Sequence, residues 1–427
     1  MTPNPLQHPP SGAARHLPPP GEGQDIVRQV RRAERRRRRW ALLLVAPLAL
    51  FLLLVFVAPI MEMLRRSVVD LDLRQTWPRT AAALADWDGH DLPPEATFAA
   101  LAQDMKESFS ARTAAAVARR LNYADTGART LVMTTARKVA GLEQMPTDWR
   151  AAFVDIDPAW GERHTWTMLR QASGPVTSFF TLYALDLRRD ADGRVVAAPA
   201  SEAIFVDILL RTLSISALVT VICAVLGFPV AYLLANAPGR IGNLLLILVL
   251  VPFWTALLVR IAAWTVLLQD QGLINNALVS LGLIDQPLRL IYNRTGVIIA
   301  MVHVLLPFMI MPLYGVMKTV PPQLYRASLS LGAPPTVSFL RVYLPQTKPG
   351  IFAGILLVFI MAVGYYITPA LVGGANDQMI SWFIAFYTTD TANWGLAAAL
   401  GLVLLVATAV LFALYQRLSG ARGVAFG

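Results

Sequence analysis

Cysteine is nearly absent: Cys223 is the single one in 427 residues. An intrachain disulfide and a cysteine-based metal site are therefore excluded. Lying in an apolar run, Cys223 reads as a small buried hydrophobe. Charge is also scarce, at 15% of residues against 56% hydrophobic, where a soluble domain carries about 25%. Acids are fewer than bases, 27 against 37, and 19 of the 27 fall between Met61 and Glu202. That pattern fits a membrane protein with one water-facing insert and a basic remainder. No G-x-x-x-x-G-K-[ST] occurs, so the chain offers no P-loop for ATP. No G-x-S-x-G, H-E-x-x-H or paired-cysteine motif points to an enzyme. His90 and His164 lack a second ligand at metal spacing, so neither a metal nor any other cofactor is expected. No acid lies well inside an apolar stretch, which disfavours a stand-alone proton-driven carrier. Uphill transport would have to draw its energy from a partner.

What the chain has is long apolar runs. A bilayer core of about 30 Å needs roughly 20 apolar residues in helix, and six stretches qualify: Ala41 to Ile60, Thr212 to Ala235, Leu244 to Leu268, Val297 to Tyr314, Ile351 to Leu371 and Trp394 to Tyr415. The expected fold is an all-α membrane protein of six transmembrane helices, with a mostly helical periplasmic insert between the first and second. Residues 1–39 read as a disordered basic N-terminus, rich in Pro, Gly and charge. Eight arginines between Arg28 and Arg39 have no nucleic-acid-binding fold behind them. The run of about 20 apolar residues that follows suits a retained anchor better than a cleaved signal. Lys and Arg collect in cytoplasmic loops, which places the N-terminus, Arg240, the loop 318–350 and the tail 418–427 inside. The expected parts are thus 1–39, a first span 40–60, an external insert 61–202 and a five-helix core 203–417. In the insert, Trp160 and Trp166 read as core anchors, and "VTSFFTLYALDL" is compatible with strand or helix.

Within the core, Arg260 is exceptional, because a charge near a span's centre costs about 2.5–3.5 kcal/mol on insertion scales. Either it snorkels outward or it faces a polar route between helices. Trp254 and Trp264 suit interface anchors or route lining. "GYYITPALVGG", with Tyr365 and Tyr366, breaks the fifth span with Gly and Pro, as backbone lining a cavity can.

The polar break "YRASLSLGAPPTVSFLRVYLPQTKPG" holds two short helical patterns. Pro321 and Pro322 can open the first, and Gly332 fits the left-handed residue that ends it. Pro334 and Pro335 restart a second, which Pro345 is expected to stop. By physics alone the pair is either an interfacial helix on lipid or a docking element for a cytoplasmic motor. The stretch resembles the "EAA" loop of permeases of binding-protein-dependent ABC importers. Arg326, Ala327 and Ser328 stand at the Glu-Ala-Ala positions, Gly332 is in place, and Tyr343, Leu344 and Pro345 close the pattern. The reversed sign at Arg326 departs from the family. "VPFWTALLVRIAAW", "LLPFMIMPLYGVMKTVP" and "GYYITPALVGG" look like the spermidine/putrescine class of such permeases, first-subunit type; many relatives carry an acid where Tyr365 stands.

The resemblance implies an ATP-driven importer subunit at the bacterial inner membrane, in a heterodimer with a second permease. Its further partners would be a cytoplasmic ABC ATPase dimer, a periplasmic substrate-binding protein and the lipid bilayer. It also implies that Arg326, Ala327, Ser328, Gly332, Leu344 and Pro345 meet the ATPase. Polyamines are the expected solutes. Opine-like or other amino-acid-derived solutes are the alternative, since Arg260 is present and no acid is. A membrane sensor with a ligand-binding insert would need a cytoplasmic output domain, and the longest inside loop has only about 32 residues.

Overall fold

In the computed structural model, residue 37 and residues 40–41, 43–190 and 192–418 are described. The basic run Arg28 to Arg39, Arg37 apart, and the tail beyond 418 lie outside them. Two units divide the chain, Met1–Glu62 and Met63–Gly427. The first is represented by most of helix α1 (Leu43–Arg66), which is apolar on every side from Leu43 to Met61. A helix hydrophobic all round must find lipid or protein partners.

The second unit begins with a helical domain. It comprises α2 (Pro78–Ala85), α3 (Glu95–Ser110), α4 (Ala114–Asn122), α5 (Ala128–Ala140), α6 (Trp149–Ile156), α7 (Arg163–Ser173) and α8 (Phe179–Tyr183), followed by a hairpin. The hairpin pairs β1 (Leu187–Arg189) with β2 (Val195–Ala197) antiparallel. The ambiguous run "VTSFFTLYALDL" thus becomes a helical turn and then a strand. Trp77, Trp160, Trp166, Phe98 and Phe153 are fully buried in this core. Their rings meet edge-on, Phe98 to Trp166 at 4.4 Å and Phe153 to Trp160 at 5.2 Å, the arrangement aromatic quadrupoles favour. Each indole N–H donates: Trp77 to Ser108 Oγ, Trp160 to Thr135 Oγ1 and Trp166 to the Trp160 carbonyl, all at 2.9 Å. Trp160 and Trp166 are core anchors, as expected. A buried ion pair joins Asp70 to Arg120, and the Arg120 guanidinium lies 4.1 Å over the Phe179 ring.

The apolar helices follow: α9 (Phe205–Asn236), α10 (Gly239–Leu250), α11 (Leu257–Leu267), α12 (Leu273–Ser280), α13 (Arg294–Thr319), α14 (Pro322–Ser330), α15 (Pro335–Val363), α16 (Ile367–Val372), α17 (Ile380–Thr389) and α18 (Trp394–Leu418). Helix α9 starts where Asp186, just before β1, turns its carboxylate onto the backbone N–H groups of Ile204, Phe205 and Val206 at 3.0, 2.9 and 2.8 Å. These are orphan donors of a first turn, capped from 18 residues upstream. Helices α9, α13 and α15 pack on one another around Met301, Leu305 and Met309. Glycines allow the approach. A Cβ at Gly227 would stand 2.9 Å from Met309 Cγ, one at Gly354 2.6 Å from Met309 Sδ, and one at Gly350 3.1 Å from the Pro312 carbonyl. Gly350 and Gly354 are four apart, the small-xxx-small spacing that brings helices together without a hydrophobic drive in lipid. Cys223 is buried here, its Sγ 3.7 Å from the Val302 carbonyl.

The all-helical membrane reading holds in this coarse form, with three corrections. Among the described residues, five helices are long and apolar enough to span, and six are reached only if the bent pair Gly239–Trp254 and Leu257–Leu267 counts as one. That pair turns by 97°, so the expected span Leu244 to Leu268 is broken. Pro252 supplies no N–H donor, and Thr255 and Ala256 are extended. Pro345 does not stop its helix. The turn Phe339–Tyr343 widens to a π-helix, and Leu344 N–H bonds back to the Phe339 carbonyl. The shifted ladder absorbs the donor Pro345 lacks, and the helix runs on to Val363. The fifth span therefore starts earlier and ends earlier than expected, at Gly364 instead of Leu371.

Candidate functional site: an exposed helical tip and a polar break

Two groups of residues carry the functional question, at opposite ends of α15. At its start, α13 gives way at Pro321 to α14, whose N-terminus is a Pro-Pro step. Gly332 closes the turn with φ +86°, its N–H donating to the Leu329 carbonyl at 2.9 Å, while Ala333 N–H reaches the Ser328 carbonyl at 3.2 Å. Nothing lies within 4 Å of a Cβ built on Gly332. Backbone conformation, not crowding, thus selects glycine there. Arg326 and Ala327 are exposed, and Ser328 is half-buried with its hydroxyl on the Tyr325 carbonyl at 2.8 Å. Leu324 and Leu329 are exposed too, and Leu331 is 88% exposed, so the tip is an apolar knob with none of the described residues covering it.

The base of the knob is held. Phe339 and Tyr343 stack at 5.6 Å, and the edge of Tyr232 on α9 meets both, at 5.7 and 5.4 Å. Helix α14 packs against the π-turn Phe339–Tyr343. Arg326, Ala327, Ser328 and Gly332 therefore share the tip. Leu344 and Pro345 sit beyond the π-turn on α15, half-buried and exposed respectively, as part of the stem.

At the other end, Gly364 to Tyr366 break the helix between α15 and α16. Trp264 of α11 donates its indole N–H to His303 Nδ1 of α13 at 2.9 Å. Arg260, one turn earlier on α11, acts electrostatically on His303 and on Tyr365. Its Nε is buried without a hydrogen-bond partner. Trp264 thus holds His303, and Arg260 lies within electrostatic reach of both His303 and Tyr365. Trp254 does not join them: it lies on the far side of the 97° bend and is 79% exposed. Tyr366 is exposed beside the break. The sequence reading left His303 out of the site; its signal was that it is the sole imidazole in the apolar runs.

The break is braced from its other side. Asp377 accepts from Arg294 Nε and from Gly374 N–H, both at 3.3 Å. A Cβ at Gly373 would come 2.5 Å from the Pro369 carbonyl, and one at Gly374 2.7 Å from the Tyr292 carbonyl. The double glycine lets backbone pass backbone. In α12, fully buried Asn275 donates to the Gln269 and Leu288 carbonyls and accepts from Leu288 N–H. A polar, proline-broken loop is thereby fixed at the end of apolar helices, the context in which non-helical backbone is tolerated at membrane depth.

Residues 209–422 match the family model described as the binding-protein-dependent transport system inner membrane component. The chain is 37% identical over 218 residues to the spermidine/putrescine transport system permease protein PotB of Escherichia coli (strain K12), across 51% of this chain and 79% of that one. It is 33% identical over 226 residues to the inner membrane ABC transporter permease protein YdcU of the same organism, across 50% and 71%. Among solved structures, a bacterial alginate ABC transporter in complex with alginate pentasaccharide-bound periplasmic protein aligns over 50% of this chain and 78% of its own, at 17% identity and a TM-score of 0.42. The family match leaves out the helical domain of α2 to α8.

Proposed function

The chain belongs to the family of binding-protein-dependent transport system inner membrane components, and from that premise we propose that it carries a polyamine such as spermidine or putrescine across the membrane. It is a multi-pass inner-membrane permease subunit of an ABC importer, not an enzyme. The observation that carries the substrate reading is its 37% identity to PotB over 218 residues. Aromatic faces at Trp264, Tyr365 and Tyr366 suit a cationic chain. ATP hydrolysis belongs to a separate cytoplasmic ATPase dimer. A second permease subunit completes the route, and a periplasmic binding protein delivers the solute. In this reading the N- and C-termini and the tip of α14 are cytoplasmic, and the helical domain is periplasmic.

The tip of α14 is the part offered to the ATPase. Leu324, Leu329 and Leu331 would enter an apolar groove there, with Arg326 beside them in place of the family's acid. Movement of the knob has a path inward. Helix α15 is continuous from Pro335 to Val363, 29 residues, about 43 Å at 1.5 Å per residue. One stiff element therefore joins the motor-facing tip to the break at Gly364, beside Tyr365, Arg260 and His303. Displacing the tip would rock the break and alternate the access of the route.

The test is reconstitution with the partner subunits in liposomes. ATP-dependent uptake of labelled spermidine is expected, with hydrolysis and uptake uncoupled in Gly332→Val. Uptake of opine-like or other amino-acid-derived solutes with no competition by spermidine would overturn the substrate. Unchanged coupling in Gly332→Val would overturn the role of the tip.

A further inference from the structure

The helical domain contains a cavity of about 610 Å³ to which no role has been given. One wall is a face of α7. Arg163, Thr167, Arg170 and Gln171 are spaced i, i+4, i+7, i+8 and line the cavity, while Trp166, Leu169 and Ala172 of the same helix are buried in the core. The amphipathic period is therefore met twice, and the outer stripe is basic. The opposite wall is the β1 strand, with Arg188 and Arg189, and the turn before α8 with Ser178.

The arginines are oriented, and mostly by neutral groups. Arg170 Nη1 donates to the Asp88 carbonyl at 3.0 Å, and a Cβ at Gly89 would lie 2.5 Å from that nitrogen. Gly89, at φ +87°, is the residue that lets the guanidinium lie against the loop. Arg163 Nε donates to the Gly89 carbonyl at 2.6 Å and its Nη2 to Asp192 at 3.1 Å. Arg189 donates to Ser178 Oγ at 3.1 Å and to the Gly193 carbonyl at 3.0 Å. Arg188 is exposed along the wall. Bonds to carbonyls and a hydroxyl fix a guanidinium without neutralising it. Four arginines face two aspartates, Asp88 and Asp192, in the lining, which leaves an excess of positive charge with N–H donors held in place. Planar guanidinium groups match carboxylate and phosphate oxygens two at a time. The volume falls in the range of small-molecule sites, about 300–1,000 Å³, and exceeds what a single inorganic anion needs.

We propose that this cavity binds a small organic polyanion bearing two or more carboxylate or phosphate groups, separately from the transported solute. The site lies in the part of the chain outside the family match, and it does not rest on the polyamine reading. The experiment is calorimetric titration of the purified full-length chain with citrate and with fructose 1,6-bisphosphate at low ionic strength. Saturable binding of at least one of them is expected, weakened about tenfold, some 1.4 kcal/mol, in Arg188→Gln and in Arg170→Gln. Raising the salt from about 20 to about 300 mM should weaken it further. Arg188 is exposed on a strand, so its variant keeps the fold and serves as the control for the more deeply engaged Arg170. Absence of heat with both ligands, or equal binding by the parent and both variants, overturns the proposal.

Discussion

Asp70→Asn is the most informative single change in the helical domain. Asp70 and Arg120 are 5% and 4% exposed, so neither charge can turn to water when the other is lost. Breaking one side of a buried pair costs about 3–5 kcal/mol. Two features set where in that range the loss falls. The guanidinium lies 4.1 Å over Phe179 and 4.9 Å over Phe180, and desolvated cation–π contacts of this kind hold about 2 kcal/mol; they survive the change. Asparagine also still accepts a hydrogen bond. Against that, Arg120 Nη1 is already buried without a partner, so the charge has no spare acceptor. The lower end follows, about 3 kcal/mol. In a domain of 100–150 residues each kcal/mol moves the midpoint by about 3–5 °C, for a drop near 10 °C. Tryptophan emission during heating of the detergent-solubilised chain reads this, because Trp77, Trp160 and Trp166 are fully buried in the same core. The double variant Asp70→Leu/Arg120→Met should recover most of the loss, since an apolar pair of similar volume carries no desolvation cost. A drop of less than about 3 °C in Asp70→Asn, or a double variant no more stable than the single, would refute the reasoning.

Asp186→Ala removes three bonds from the first turn of α9 and should cost about 1–2 kcal/mol, read as faster hydrogen exchange at residues 204–206. Gly354→Leu forces a side chain into Met309 and should cost about 1–3 kcal/mol or more as overpacking, visible as loss of the monodisperse peak in size-exclusion chromatography; Ala at the same place should be milder. Arg79 donates to Glu107 at 2.8 Å and holds its carboxyl below the usual value of 4.5. A lowered carboxylate pKa stabilises the fold above 4.5 and ceases to do so as pH falls through the folded value. The melting difference between Glu107→Gln and the parent should therefore be present at pH 7 and vanish in acid, and a difference that grew in acid would reverse the sign.

Which parts of the molecule were legible follows from where the determining contacts lie. Apolar length alone marks α9, α13 and α18, because each needs about 20 apolar residues whatever packs on it. The turn at Gly332 is equally local: a glycine between two proline-opened helices leaves little choice but a left-handed residue. The cap of α9 is not local. No Ser, Thr, Asn or Asp stands at Ile204, and the capping carboxylate comes from Asp186, brought there by the hairpin. The His303 cluster was hidden for the same reason. Arg260, Trp264 and Tyr365 were visible as odd residues in apolar runs, but only α11 crossing α13 gives Trp264 its acceptor, and only the bend before α11 sends Trp254 elsewhere.

The prolines make the physical rule explicit. Pro307 and Pro312 lie inside α13, Pro229 inside α9 and Pro349 inside α15, and none ends its helix. Pro252, with the same missing donor, sits at a 97° bend. The difference is in the packing. Helix α13 is 61% buried along its apolar stretch, and its neighbours α9 and α15 hold its axis past each proline. Neither α10 nor the turn Val251–Trp254 has a buried residue. There the packing is thinner, with Phe253 meeting Phe308 at 5.0 Å and Leu245, Leu246 and Val249 only partly buried, and less resists when Thr255 and Ala256 adopt extended backbone. A lost donor costs about the same at each site; whether the helix breaks depends on the side-chain contacts that would be given up by bending. That quantity is a property of the folded bundle. The string "VPFW" therefore marks a weak point in the helix, and the thinly packed surface of α10 before it turns the weak point into a corner.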